Sequence, residues 1–222
     1  MSDTSFLSAI VDAPTRRTRH GASKIHSLTF AVSKHIFDVV CAVVSLPLIA
    51  VIALVLLVLN PFLNPGPLFY SQKRMGKNHR PFTMVKFRTM LPAGSVTRGH
   101  DCRLEENRIT WIGGLLRRYR IDELPNMFNV LARQMSVVGP RPDTWAHAVE
   151  YARIVPLYDE RHRVRPGITG LAQVEQGYAE GIEQTKAKAL LDALYIEAYG
   201  FRQEARVLAK TFRVLTTGFG AR

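Results

Sequence analysis

Cysteine is nearly absent from this chain of 222 residues. Only Cys41, inside an apolar run, and Cys102, in a charged stretch, occur, which excludes a disulfide framework and a Cys-based zinc site and fits a cytoplasmic setting. Acidic residues are also scarce: 18 Asp and Glu face 30 Lys and Arg, a formal charge of +12. Such an excess calls for an anionic partner, whether nucleic acid, anionic lipid or a phosphate-rich substrate. There is no Walker A loop, no strand-linked G-x-G-x-x-G and no H-E-x-x-H, so P-loop hydrolysis, dinucleotide redox chemistry and zinc proteolysis lose their usual hallmarks. Internal repeats and low-complexity tracts are missing too. Hydrophobic residues at 47% and charged residues at 22% are an ordinary globular balance that excludes disorder throughout, and the length suits one domain with an appendage.

Charge is locally absent as well. From Val39 to Leu59 the chain runs 21 residues without a charged side chain; as a helix that is about 30 Å, the thickness of a hydrocarbon core. Residues 1–33, with Arg16, Arg17, Arg19 and Lys24 and no periodic pattern, read as a flexible basic arm, and the late onset of the apolar run excludes a secretory signal. Lys34 precedes the run, and Lys73, Arg74, Lys77, Arg80, Lys86 and Arg88 follow it with no acid between Ser71 and Met90. The positive-inside rule therefore places both flanks on the cytoplasmic side. Pro47 near the middle removes a helix hydrogen bond, so residues 34–60 are expected to form a re-entrant membrane helix, with a kinked full span as the other reading.

Residues 61–222 read as the cytoplasmic domain, ending in an amphipathic helix. After the Asn64-Pro65-Gly66-Pro67 turn, two short strands are expected at 68–70 and 82–90, separated by a turn at 76–79, with Lys86 and Arg88 projecting to one face. A charged loop follows, then a helix at 112–119 and another capped by Asp122 with Pro125 in its first turn. From Phe201 onward, Phe201, Ala205, Leu208, Phe212 and Leu215 share one helical face, and Arg202, Arg206, Lys210 and Arg213 another. This C-terminal amphipathic helix packs on the domain or lies on a bilayer surface. The fold class expected is α+β: mostly helical, with a small antiparallel sheet, on an N-terminal re-entrant membrane helix.

Asp122 and Glu123 stand at a helix start behind Arg117, Arg118 and Arg120, where cations and the helix dipole would lower both pKa values. Ionised carboxylates there can act as nucleophile and Mg²⁺ ligand; on spacing alone an N-cap followed by a first-turn Glu is the commoner arrangement. Proline-stiffened arginines in Gly139-Pro140-Arg141-Pro142 and in the Arg163 to Gly170 segment suit oxyanion binding, or form structural loops. His100-Asp101-Cys102 reads as an exposed loop rather than a metal cluster. No recognisable helix-turn-helix, RRM or zinc-finger pattern supports a nucleic-acid partner.

These motifs come in a telling order: Lys-His-Ile-Phe-Asp before the apolar run, Asn-Pro-Gly-Pro-Leu-Phe-Tyr-Ser-Gln-Lys-Arg-Met-Gly after it, then Phe-Thr-Met-Val-Lys-Phe-Arg-Thr-Met, Ile-Asp-Glu-Leu-Pro-Asn, Met-Ser-Val-Val-Gly-Pro-Arg-Pro and Arg-Pro-Gly-Ile-Thr-Gly-Leu-Ala-Gln-Val. From about Ser33 to the C-terminus the chain resembles the bacterial sugar transferases, monotopic phosphoglycosyl transferases that initiate exopolysaccharide and related glycans. The resemblance implies an enzyme on the cytoplasmic face of the bacterial inner membrane, transferring a sugar 1-phosphate from a UDP-sugar to undecaprenyl phosphate with Mg²⁺. It implies Asp122 as nucleophile, forming a covalent phosphosugar with release of UMP, and Glu123 as the Mg²⁺ ligand. Lys86, Arg88 and Arg141 are then phosphate-binding residues, and Asp192 a further site candidate. Inner-membrane lipids become partners, and a homo-oligomer is compatible. Many members carry a Trp-Gln-Val-Ser-Gly-Arg-like segment where residues 172–178 differ here, so the donor sugar is not read. A non-catalytic membrane-associated scaffold of a polysaccharide assembly complex is the alternative function.

Overall fold

The computed structural model describes residues 28–92, 106–177 and 181–217. The basic arm up to residue 27 and the His100-Asp101-Cys102 loop lie outside the described residues.

The apolar run is the centre of a single helix, α1 (Leu28–Leu63), of 36 residues. It starts earlier than residue 34 because Phe30 has a socket: its ring meets those of Tyr199 and Phe201 edge-on, both at 5.0 Å. The last residues of the expected arm are thereby helical. Helical backbone continues through Pro47 and Pro61. One face of α1, carrying Asp38, Ala42, Ile49, Leu56 and Asn60, is buried against the rest of the chain. The outer face leaves Val44, Val51, Leu54 and Val58 at 60% exposure or more. The helix is long and apolar enough to cross a membrane. Water would penalise such a face by about 25 cal/mol per Å² of apolar surface, and lipid would not.

The expected strands form a hairpin, β1 (Phe69–Met75) and β2 (Pro81–Phe87), antiparallel with Phe69 opposite Phe87 and Met75 opposite Pro81. At its tip Asn78 and His79 adopt left-handed backbone, φ 53° and 58°. β2 ends one residue before Arg88, so the alternation expected to bring Lys86 and Arg88 to one face stops there. Arg88 turns under the proline turn instead. Its Nε donates to Pro67 O (2.6 Å), Nη1 to Met90 O (3.1 Å) and Nη2 to Asn64 O. Asn64 Nδ2 donates in return to Arg88 O (2.8 Å).

The helical part comprises α2 (Trp111–Arg118), α3 (Asn126–Leu131), α4 (Trp145–Ile154), α5 (Leu171–Glu175), α6 (Gly181–Glu197) and α7 (Phe201–Thr217). A short parallel pair, β3 (Ser136–Val138) and β4 (Gly167–Thr169), adds to the predicted antiparallel sheet. Val138, Leu171, Val174, Tyr195 and Val207 close a core around that pair. On α7 the buried line is Gln203, Glu204 and Val207, whereas Ala205 and Phe212 face outward. The expected apolar stripe is displaced because Glu204 is drawn inward by Lys34 Nζ (2.6 Å) and by the Tyr195 hydroxyl.

Both ends of α1 are tied to this domain. Asp38 Oδ1 accepts from Ser136 Oγ and Val137 N, each at 2.9 Å, and Lys34 Nζ donates to Val138 O at 3.0 Å. At the far end the Asn64–Arg88 exchange does the same.

Candidate active site

α2 is capped by Thr110, whose Oγ1 accepts from Gly113 N (3.1 Å). Past its last arginines the chain reaches Arg120, left-handed at φ 58°, and folds into a 3₁₀ turn over Ile121–Glu123. α3 begins only at Asn126, with Pro125 in the capping position and no side-chain cap. Asp122 is therefore not the expected N-cap. It is held one turn ahead of α3, and the helix-dipole argument does not carry to it. Both carboxylates are buried, Asp122 at 7% exposure and Glu123 at 6%.

Their surroundings separate them. Glu123 Oε1 accepts from Lys86 Nζ at 2.8 Å and from Arg141 Nη2, and Oε2 accepts from Arg141 Nη1 at 2.8 Å. Arg120 adds a more distant ion pair at 3.9 Å. Burial would raise the Glu123 pKa, but Arg141 and Lys86 outweigh it and hold the carboxyl well below the usual range. For Asp122 burial prevails over attraction by Lys86, and the negative Glu123 adds to the rise, so this carboxyl titrates above an ordinary aspartate. The joint lowering expected from sequence holds for Glu123 and fails for Asp122. Burial pushes Lys86 down to about 8 against the pull of Glu123.

Three separate segments converge here because the backbone permits close approach. Gly139 N donates to Thr169 O (2.8 Å) and Gly167 N to Pro140 O (2.9 Å). A Cβ on Gly167 would stand 2.1 Å from Gly139 N, so no other residue fits without moving the Arg141 loop. Asn129 of α3 ties the hairpin in from the other side, its Nδ2 donating to Thr83 O at 2.7 Å.

Behind Arg141 lies a second buried cluster, of which sequence reasoning named Asp192 and missed Asp143, Arg161 and Lys188. Asp143 accepts from Tyr158 OH (2.7 Å), Lys188 Nζ (2.6 Å) and Arg161 Nη1. Burial opposes ionisation of Asp143, yet Lys188 and Arg161 keep its carboxyl far below the usual range. Arg161 also donates to Arg141 O and stands 3.1 Å from Asp192 Oδ2. Asp192 is 1% exposed, and burial raises its pKa despite Arg161 and Lys188. On the other side Arg74 Nη1 donates to Pro142 O (3.0 Å). Asp143 directly follows the Gly-Pro-Arg-Pro motif, which is the one signal that could have found it. Arg161 sits in a charged Asp-Glu-Arg-His-Arg run that reads as solvated surface.

The structure thus brings together Asp122, Glu123, Lys86 and Arg141, places Asp192 one layer behind, and leaves Arg88 at the proline turn. Arg163 is on the surface, paired with Glu160 at 2.7 Å.

A family model for bacterial sugar transferase matches residues 29–218. The chain belongs to that family. It is 38% identical over 200 residues to a UDP-N-acetylgalactosamine-undecaprenyl-phosphate N-acetylgalactosaminephosphotransferase of Aeromonas hydrophila, covering 90% of this chain and 47% of that protein. It is 36% identical over 185 residues to a UDP-glucose:undecaprenyl-phosphate glucose-1-phosphate transferase of Xanthomonas campestris pv. campestris, covering 82% of this chain and 38% of that one. The chain thus spans less than half the length of these two relatives. With the exopolysaccharide production protein PSS of Rhizobium leguminosarum bv. phaseoli it shares 34% identity over 200 residues, 85% of this chain and 98% of the relative.

Adjacent carboxylates are hard oxygen donors of the kind Mg²⁺ takes. Glu123 is ionised, but Lys86 and Arg141 occupy its two oxygens, so a divalent ion fits this donor set once those cations turn to another anion.

Proposed function

We propose that this sugar transferase moves a sugar 1-phosphate from a UDP-sugar to undecaprenyl phosphate at the cytoplasmic face of the inner membrane, and so begins exopolysaccharide or related glycan synthesis. The observation that carries the reading is the buried pair of unlike carboxylates: Glu123 saturated by Lys86 and Arg141, and Asp122 beside it outside that bidentate grip. One carboxylate organises cations and the other is left to react.

In the first displacement an Asp122 carboxylate oxygen attacks the sugar-bearing phosphorus. The bond from that phosphorus to the bridging oxygen breaks, and UMP leaves with the electron pair. In the second, a phosphate oxygen of undecaprenyl phosphate attacks the same phosphorus and the Asp122 oxygen departs, regenerating the carboxylate. Lys86 and Arg141 would exchange Glu123 for the donor's diphosphate oxygens, where guanidinium geometry allows bidentate contact. Glu123 would then hold Mg²⁺, which supplies charge neutralisation to the developing UMP oxyanion. Splitting the transfer lets a soluble donor and a lipid acceptor use the site in turn.

One-sided attachment of α1 is supported by the contacts at both its ends: Lys34 and Asp38 bind β3, and Asn64 binds Arg88 of the same domain. A helix crossing the bilayer would carry one end about 30 Å away from that domain. The re-entrant helix holds the carboxylates at the headgroup plane, where acceptor phosphate lies. UMP release from a panel of UDP-sugars, in membranes containing undecaprenyl phosphate, tests the activity and identifies the sugar. No release from any of them would end the transferase reading.

A further inference from the structure

Away from the carboxylates, the hairpin tip meets the 3₁₀ segment Tyr158–Arg163. There His79 Nε2 lies 3.1 Å from Asp159 Oδ1, and the His79 and His162 ring centroids are 4.7 Å apart. One ligand atom from each of His79, Asp159 and His162 falls within 4.8 Å of the others. His162 is 5% exposed, and its Nε2 is buried with no hydrogen-bond partner. An orphaned buried ring nitrogen costs about 1–3 kcal/mol, a reason to look for what would satisfy it. His79 and Asp159 are half or more exposed, so an ion can enter from water.

The geometry points to a divalent transition-metal site formed by His79, Asp159 and His162, separate from the carboxylate pair and clipping the hairpin tip to the segment that carries Arg161. Two imidazoles and one carboxylate are the donor set of a borderline ion, Zn²⁺ foremost, and not of Mg²⁺ or Ca²⁺, which take oxygen. In a tetrahedral site with bonds of 2.0–2.1 Å the ligand atoms are about 3.3 Å apart, so a contraction of up to about 1.5 Å, taken up by the exposed His79 and Asp159 side chains, completes three corners. Water, reaching the ion from the exposed His79 and Asp159 side, would supply the fourth ligand. Arg161 opposes a cation by its charge, but its guanidinium is already engaged by Asp143 and Asp192. Because Arg161 also donates to Arg141 O, order imposed at the clip passes to the Arg141 loop by a continuous chain of contacts.

The test is calorimetric titration of Zn²⁺ into the full, tag-free, EDTA-stripped protein in lipid nanodiscs, with saturating Mg²⁺ to cover the carboxylate pair. The expected result is one equivalent bound with micromolar Kd or tighter. At a hundredfold excess over Kd, Tm should rise by about 5–10 °C. His79→Gln and Asp159→Asn, both at exposed side chains, should each weaken binding tenfold or more, and Co²⁺ in the same site should show the visible spectrum of a tetrahedral ion with nitrogen ligands. Absence of binding below 100 µM would overturn the site, as would an equivalent retained in the His79→Gln, Asp159→Asn double variant.

Discussion

Replacing Arg161 by Met removes the only cation at ion-pair distance from Asp192 among the described residues, while Asp143 keeps Lys188 (2.6 Å) and the Tyr158 hydroxyl (2.7 Å). Arg161 is 3% exposed, so the variant strands one buried carboxylate rather than two. Stranding a buried charge costs about 3–5 kcal/mol. At about 2–4 °C per kcal/mol for a chain of this size, Tm should fall by about 6–20 °C. The loss should depend on pH in a definite direction. The folded-state pKa of Asp192 is already raised by burial, and losing Arg161, which lowers it, raises it further. Between the unfolded value of about 3.9 and that raised value the folded state holds the extra proton, so stability falls as pH rises. The deficit should therefore be smaller at pH 5 than at pH 8. Adding Asp192→Asn should recover much of it, since the stranded charge is gone. Thermal unfolding in nanodiscs measures all three. A drop under 2 °C, or a deficit that deepens on acidification, would mean that Asp192 is not stranded by the loss of Arg161.

Lys86→Ala should raise the donor KM by about 10- to 150-fold, the equivalent of one charge-assisted contact at 1.5–3 kcal/mol, with membrane extraction unchanged; steady-state UMP release reports it. The pH profile of kcat/KM should rise on its acid side above the range of an ordinary aspartate, because Asp122 must be ionised to attack and its pKa is raised. It should decline above about 8 as Lys86 loses its proton. For topology, single cysteines at Ser2 and Gly76, in a chain whose Cys41 and Cys102 are replaced, should both resist an impermeant thiol reagent applied to intact cells. Labelling at one position alone would establish a full span.

The elements with strong local signals were legible in the sequence. The charge-free run, the proline turn and the hairpin all occur, because apolar length and turn chemistry act over a few residues. What failed were inferences that extend a local period past a boundary. Arg88 follows Lys86 by the two-residue strand period, but β2 stops at Phe87 and the side chain turns to three carbonyl oxygens. Asp122 has the residue type of an N-cap, but the left-handed Arg120 opens a 3₁₀ turn over Ile121–Glu123 that takes Asp122 into it, and α3 begins only at Asn126. On α7 the apolar stripe read from spacing gave way to Glu204, whose tertiary partners Lys34 and Tyr195 are far away in sequence or on another helix. The Asp143–Arg161–Lys188 cluster is assembled from three distant segments, and no short window contains it. Residues linked by one motif, Asp122 with Glu123, were found together. Lys86, Arg141 and Asp192, linked to them only through space, came from the family resemblance, and Asp143, Arg161 and Lys188 were not found.

In the proposed mechanism Asp122 is the group that carries the phosphosugar. Protein incubated with its UDP-sugar and Mg²⁺ in the absence of undecaprenyl phosphate should accumulate an adduct of one phosphosugar. Peptide mass spectrometry should locate it on the peptide containing Asp122, and the adduct should disappear when the lipid phosphate is added. Asp122→Asn should show no adduct while remaining folded, since the amide is nearly the same shape and a poor nucleophile. An adduct on any other residue, or full transfer by Asp122→Asn, would mean that Asp122 is not the nucleophile.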